Sequence, residues 1–248
     1  MSESPFFMSP NLIKDKSFRS NRVLREPAWE LNEVVLSGLR APEQQSLHRS
    51  SASLDESKAR NELNISLKVF LKDFDLDKTK EAIDTALSVI GTEYVEELHL
   101  ALPQIAAGIL GFPAPEADSD HKELNEVKGQ LLELWRFFEK LVDIKVIKNL
   151  GISDCETEVF KYLYEGAKIK PTSVQINQTT CCVVPPELNS FANANKILLL
   201  THNDPTLIWK PSSESLKHYN LRWIIKSVIQ VEKTAVLKDK RYLISLTT

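Results

Sequence analysis

The sequence predicts an α/β fold, with a β/α barrel of the TIM type as the best architecture. From residue 62 onward, segments with the two-residue alternation of strands follow segments with the spacing of amphipathic helices. Each strand–helix unit takes about 25–30 residues, the length typical of a right-handed βαβ unit. Five such strand segments come before residue 202. Repeated units of this kind form a parallel sheet with helices against it.

An open doubly wound sheet is the alternative architecture. Folds of that class that bind nucleotides usually carry a glycine-rich turn after the first strand. The chain has only seven glycines, and neither G-x-G-x-x-G nor G-x-x-x-x-G-K-[ST] can be written from them. Glycine loops that cradle phosphates are therefore absent, which favours the barrel.

The strand segments are rich in β-branched, leucine and aromatic side chains. The five parallel candidates lie at 63–70, 94–102, 146–152, 173–177 and 196–201. The last of them, KILLLT, is apolar along most of its length and is expected to be buried. Two further segments, 221–230 and 236–246, surround charged turn residues and indicate a hairpin.

The helices between these strands have recognisable ends. Asp75 or Asp77 is expected to cap the first helix, and Gly91 is expected to end it. Ser153 and Glu156 have the spacing of a capping box, which predicts the start of a later helix.

The chain is expected to divide at about residue 60. Residues 1–60 are predicted to be an irregular N-terminal segment. Within it, residues 43–60 are rich in Ser, Gln and charge and contain only two leucines, which indicates a mobile linker. Residues 61–248 are predicted to form the barrel domain, irregular or truncated at its N-terminal side.

Charge and composition argue against several classes of partner. The 31 Lys and Arg residues are outnumbered by 34 Asp and Glu, so a nucleic-acid partner is not expected. The most apolar stretch, 98–112, is too short and too interrupted to span a bilayer, so no membrane partner is expected either. Three cysteines do not make a disulfide framework or a zinc site. No metal is expected either. Because no secretory signal is visible, we expect a cytoplasmic protein.

Several segments resemble the barrel strands of aldo-keto reductases. They are the strand around Lys68 and the runs GTEYVEELHLALP, LVDIKVIKNLGIS and KIKPTSVQIN. Within that superfamily, QINQTTCCVVPPEL (175–188) and ILLLTHNDP (197–205) resemble the regulatory, or modifier, subunits of glutamate–cysteine ligase more narrowly. The resemblance covers roughly residues 60–248.

This resemblance implies a non-catalytic barrel and a heterodimer. Regulatory subunits of this family bind the catalytic subunit of the ligase that makes γ-glutamylcysteine, the first step of glutathione biosynthesis. The partner then needs less glutamate and is less inhibited by glutathione. A divergent NADPH-dependent aldo-keto reductase is the alternative that the same resemblance leaves open.

The reductase chemistry needs Asp, Tyr, Lys and His, and this sequence matches the set poorly. Lys68 falls on the lysine position, but Ala101 falls on the histidine position, with His99 two residues early. No tyrosine precedes Lys68, since the first in the chain is Tyr94. The tyrosine that donates the proton is therefore missing, and we expect Lys68 to be a buried lysine paired with an acid.

The positions that hold NADPH in the reductases are partly kept. Ser153 and Gln175 match residues that contact the nicotinamide carboxamide, whereas Asp154 stands where asparagine is usual. No cofactor is expected, although vestigial NADPH binding stays open.

Three groups of residues are candidates for partner binding or redox chemistry. Cys181 and Cys182 could form a mixed disulfide, and ordinary reduced thiols are the alternative. His202 and Asp204 follow a strand end, where barrel sites lie, and a turn is the alternative to a catalytic or metal cluster. The segment from residue 206 has eight Lys and Arg against three acids with aromatic residues between them, and its candidates are Trp223 and Lys226.

Overall fold

The computed structural model describes residues 6–16, 18, 27–40, 59–102, 121–178, 184–205 and 217–247. The strands are β1 (Phe6–Met8), β2 (Leu63–Leu71), β3 (Val95–Ala101), β4 (Ile147–Ser153), β5 (Ser173–Asn177), β6 (Leu198–His202), β7 (Asn220–Val231) and β8 (Leu237–Thr247). The helices are α1 (Pro27–Arg40), α2 (Leu76–Ile90), α3 (His121–Asp143), α4 (Thr157–Gly166) and α5 (Pro186–Ala194). None of the helices described there is both long and apolar enough to cross a membrane.

All eight strands belong to one sheet, in the order β1-β8-β7-β2-β3-β4-β5-β6. Strands β2 to β6 are parallel and lie side by side in chain order. A doubly wound sheet would reverse its strand order at a switch point, which these five strands do not do. Because successive crossovers have the same hand, α2 to α5 all pack on one face of the sheet. The α/β class is therefore confirmed.

The sheet is curled into a barrel-like trough. Lys68 lies on β2 and Asp204 follows β6, four strands away, yet their side chains are 2.9 Å apart. This curl is compatible with the barrel predicted from the sequence, in an irregular form. The expected hairpin is confirmed, since β7 and β8 are antiparallel, and β7 also runs antiparallel to β2. Among the described strands the sheet does not close.

The convex face of the trough carries the main hydrophobic core. Alternate side chains of the parallel strands point outward and pack against α2 to α5. Its largest buried members are Trp135, Trp223, Phe138 and Phe160.

A second hydrophobic cluster lies on the concave face, at the C-terminal ends of β2 and β3. Phe70 and Ala101 contribute from these strands, and α1 contributes Leu31, Val34 and Val35. Strands β1, β7 and β8 and two residues between β1 and α1, Leu12 and Phe18, supply the remaining side chains of this cluster. Helix α1 therefore covers this end of the trough with apolar side chains.

The ends of two helices test the capping predictions. Asp75 caps α2 by accepting a hydrogen bond from the Lys78 amide, and Gly91 ends the helix with a left-handed φ of 76°. The predicted capping box at α4 is wrong. Glu156 itself is the N-cap, because its carboxylate accepts from the Glu158 and Val159 amides. Ser153 ends β4, and its hydroxyl donates to a neighbouring strand.

Strand β6 is not buried, contrary to the expectation from KILLLT. Its side chains are exposed or half-buried, and Leu198 is 61% exposed. The physical reason is its position: β5 is its only partner among the described strands, so β6 lies at the edge of the sheet. An apolar sequence alone does not distinguish a central strand from an edge strand.

Candidate functional site

The polar centre of the trough is the carboxylate of Asp204. One of its oxygens lies 2.9 Å from Lys68 Nζ, and the other lies 2.6 Å from Lys226 Nζ. The Asn177 side-chain amide donates to the Asp204 carbonyl at 2.8 Å, which fixes the chain just after β6. Three elements, β2, β7 and the segment after β6, therefore meet at a single acid.

Burial and neighbouring charges act in opposite directions on the pKa values of Asp204 and Lys68. Burial alone would raise the pKa of Asp204, but the contact with His202 and the charges of Lys68 and Lys226 hold it well below its usual value. Burial also lowers the pKa of Lys68, and Asp204 partly offsets that effect. The site is therefore an ion-paired cluster in which two lysines share one buried carboxylate.

His202 connects this cluster to a second acid. Its Nδ1 is 3.1 Å from Asp204 Oδ2, and its Nε2 is 3.0 Å from Asp154 Oδ2. Burial would lower the pKa of His202, but the two carboxylates outweigh burial and raise it. A second contact positions Asp154, since its Oδ1 accepts a hydrogen bond from the main-chain amide of Asn177 at 2.9 Å.

His99, on β3, lies beside Lys68 of β2 and is almost completely buried. Its Nε2 is 2.9 Å from Ser173 Oγ on β5. Burial, with the nearby charge of Lys68, lowers the pKa of His99 to about 4, so the imidazole is neutral at pH 7. The ring occupies the space that a side chain at Gly151 on β4 would need. Nothing in the sequence pointed to Ser173 as its partner.

The positions that correspond to reductase site residues lie in different surroundings. Ala101, at the histidine position, is buried in the apolar cluster beneath α1, away from the ion pairs. Ser153 and Gln175 are in contact, with the serine hydroxyl donating to Gln175 Oε1 at 3.0 Å. They are the positions that the resemblance to the reductases assigns to a nicotinamide.

Of the partner and redox candidates, His202, Asp204 and Lys226 meet in the ion-paired cluster, and Trp223 does not join them. Trp223 is buried in the core, where it packs against Phe6, so it does not reach a docking surface. Cys181 and Cys182 lie outside the described residues. Cys155 is fully buried, and burial raises the pKa of its thiol, so it is not a reactive thiol.

A metal ion has no ready site in the described residues, since no group of His, Cys, Asp and Glu side chains there could hold one. His202, Asp154 and Asp204 come closest, but they already contact each other or the two lysines.

A polar pocket of about 280 Å³ lies next to the ion pairs, on the concave face. Lys68, His202, Asp204 and Lys226 are part of its lining. The rest of its lining comes from Asn64, Ser66, Glu97, Gln175, Leu200, Thr201, Val228 and Gln230. This pocket was not predicted from the sequence, because its lining comes from five strands far apart in the chain.

Comparisons with known proteins give the relationship. No protein-family model matches the chain. Over 197 residues it is 30% identical to the human glutamate–cysteine ligase regulatory subunit, a match that covers 75% of this chain. The chain belongs to the family of glutamate–cysteine ligase regulatory subunits. It spans 66% of the length of the human protein.

Aldo-keto reductases are more distant relatives. The chain is 32% identical over 107 residues to the NAD(P)H-dependent D-xylose reductase of Kluyveromyces lactis, which covers 40% of this chain and 32% of that protein. A crystal structure of an aldo-keto reductase from Brucella melitensis aligns at 23% identity and a TM-score of 0.42, over 64% of this chain and 51% of that one.

Proposed function

We propose that the chain is a non-catalytic regulatory subunit that binds the catalytic subunit of glutamate–cysteine ligase. The observation that carries the proposal is the 30% identity to the human regulatory subunit. In this proposal the two chains form a one-to-one heterodimer. A partner shifts a conformational equilibrium only by binding one state better than the other. The chain would therefore bind the more active state of the catalytic subunit, lowering its glutamate requirement and weakening glutathione inhibition.

The trough supports a non-catalytic role. Carbonyl reduction on this fold needs a tyrosine near the lysine, and no tyrosine precedes Lys68 in the sequence. Lys68 is instead paired with Asp204. The histidine position is Ala101, which is packed among apolar side chains. A substrate carbonyl at this position would meet neither the tyrosine nor the histidine that the reductases use.

The test is ligase activity of the purified catalytic subunit with this chain titrated in, assayed against glutamate and against glutathione. We expect a saturable fall in the apparent KM for glutamate, or weaker glutathione inhibition, that ends near one-to-one stoichiometry. Co-elution of the two chains in size-exclusion chromatography is expected alongside. No kinetic change and no co-elution, with a catalytic subunit from the same source, would contradict the proposal.

A divergent NADPH-dependent reductase is the second candidate. It is favoured by the hydrogen bond between Ser153 and Gln175, which keeps two nicotinamide-contacting positions together, and by the identity to the xylose reductase. NADPH fluorescence titration with carbonyl substrates distinguishes the two functions. Saturable turnover that disappears in Lys68→Met would replace the regulatory proposal with this one.

A further inference from the structure

We propose that the polar pocket on the concave face binds a small zwitterion, an amino acid or short peptide, with its carboxylate at Lys226 and its ammonium group at Glu97. The inference concerns the isolated chain and goes beyond the regulatory function, because it requires no ligase partner. It rests on the distribution of charge around the pocket, on side chains there that lack partners, and on the size of the space.

One side of the pocket carries the cationic groups. Lys68 and Lys226 both contact Asp204, so two positive charges face one negative charge. The side chain of Lys226 is 19% exposed and Lys68 only 6%, so Lys226 is the more accessible of the two. An ammonium group has three N–H donors, and a ligand carboxylate can accept one that Asp204 does not use.

The lining also includes an acid, Glu97 on β3, that has no partner among the described residues. Glu97 makes no hydrogen bond or ion pair with any residue that the structure describes. Its neighbour Glu96 points to the other face, where Arg60 and Lys148 pair with it. Burial, with the charges of Glu232 and Glu96, raises the pKa of Glu97, as expected for an uncompensated carboxylate. A ligand ammonium group would supply the missing positive charge.

The register of the strands sets the distance between the two sides. Glu97 lies beside Ser66, and Lys226 lies beside Lys68, two residues further along β2. Two strand spacings and one two-residue step separate the Cα atoms of Glu97 and Lys226 by ~12 Å. Both side chains are long and point into the trough, which leaves room for a ligand whose charges are a few bonds apart.

Neutral polar groups also line the pocket. The side chains of Asn64, Ser66 and Gln230 line the pocket and form no hydrogen bond within the described residues. They offer both donors and acceptors to a polar ligand tail. The volume, about 280 Å³, is at the lower limit of ligand pockets, which typically span ~300–1,000 Å³. An amino acid or dipeptide suits this volume.

Singly charged ligands fit this distribution less well. An anion would leave Glu97 uncompensated, and a metal cation at Glu97 would share the pocket with two lysines. A zwitterion satisfies both sides while adding no net charge to a desolvated site.

The experiment is isothermal titration calorimetry of the full chain with three probes of similar size. L-glutamine carries both charges, glutaramate lacks the amine and 4-aminobutanamide lacks the carboxylate. We expect one-site binding of L-glutamine, and binding at least ~10-fold weaker for each singly charged analogue, equivalent to ~1.4 kcal/mol. Glycylglycine, whose charges are further apart, is the second zwitterion in the series.

Two variants assign the ends of the ligand. Glu97→Gln is expected to weaken L-glutamine binding about 10-fold and not to weaken glutaramate binding. Lys226→Gln is expected to weaken L-glutamine binding and not to weaken 4-aminobutanamide binding. Glu133→Gln and Lys140→Gln make the same chemical changes at exposed positions of α3, on the other face of the sheet, and serve as matched controls.

Several outcomes would overturn the proposal. One is the absence of saturable heat with either zwitterion at about 10 mM, a concentration at which a Kd of 1 mM is easily detected. The others are equal binding of all three probes and an unchanged L-glutamine affinity in Glu97→Gln. Lys226 also contacts Asp204, so Lys226→Gln could fail to fold; the Glu97→Gln titrations then decide alone. Ligase regulation is not measured here, so either proposal can fail without the other.

Discussion

Asp204→Asn tests whether the buried acid holds the trough together. The substitution keeps the size of the side chain and its neutral hydrogen bonds, but it removes the charge that Lys68 and Lys226 share. Lys68 would then be a buried cation with no acid in direct contact among the described residues. Asp154, whose charge also acts on Lys68, contacts His202 instead.

The size of the effect follows from burial. Removing one partner of a buried ion pair typically costs ~3–5 kcal/mol, because the other charge stays desolvated. The Lys226 contact adds little, since this lysine is more exposed. For a chain of this size each kcal/mol lowers Tm by about 2–4 °C, so we expect a fall of roughly 6–20 °C. Lys68→Met in the same chain should restore much of the loss, because no unpaired buried charge remains.

Urea and thermal denaturation of the wild type, both single variants and the double variant form the complete cycle. Asp84→Asn is the control, since it breaks an exposed pair with Lys80 on α2 and is expected to cost ~0.5 kcal/mol or less. A loss below ~1 kcal/mol in Asp204→Asn would refute the reasoning, because buried pairs cost several times more. So would a double variant as unstable as the sum of the two single variants.

Four further predictions concern other residues of the fold. Lowering the pH from 6.5 to 4 should destabilise the wild type by ~3 kcal/mol more than His99→Gln in urea titrations, because burial depresses the pKa of His99 to about 4 and the unfolded chain takes up the proton first. Gly151→Ala would place a Cβ 2.3 Å from the ring of His99 and 2.4 Å from Ser173 Oγ, and it should lower stability by ~1–3 kcal/mol in thermal unfolding. Gly129→Ala, with open space around the new Cβ in α3, should instead stabilise by up to ~1 kcal/mol. Glu139→Ala should cost ~2–4 kcal/mol in chemical denaturation, because two main-chain amides after α4 lose the carboxylate that accepts from them, and an unchanged midpoint would contradict this.

Local signals allowed much of the helical and strand structure to be predicted. The cap at Asp75 and the left-handed Gly91 depend only on neighbouring residues, so the ends of α2 could be read from the sequence. The five parallel strands and the hairpin followed from the periodicity of side chains. The start of α4 was misassigned because Ser153 and Glu156 have the right spacing, but the β-strand extends through Ser153.

The candidate site depended on long-range contacts that no local pattern contains. The sequence led us to expect that Lys68 is paired with an acid, but Asp204 is 136 residues away. Only the curl of the sheet brings the two together. For the same reason the exposure of Leu198 was missed, because burial of β6 depends on which strands lie beside it.

The two ends of the trough differ in chemistry, and this difference connects the family relationship to the pocket. Barrel enzymes place their sites at the C-terminal ends of the strands. Here that end of β2 and β3 carries Phe70 and Ala101, covered by apolar side chains of α1. The polar groups that have no partner among the described residues, such as Glu97 and Asn64, lie in the N-terminal halves of the same strands. Because the ion pairs of Asp204 separate the two ends, a ligand in the pocket would contact the ion-paired cluster but not the position of a reductase substrate. A barrel arranged in this way is suited to binding a ligand or a partner without carrying out carbonyl reduction.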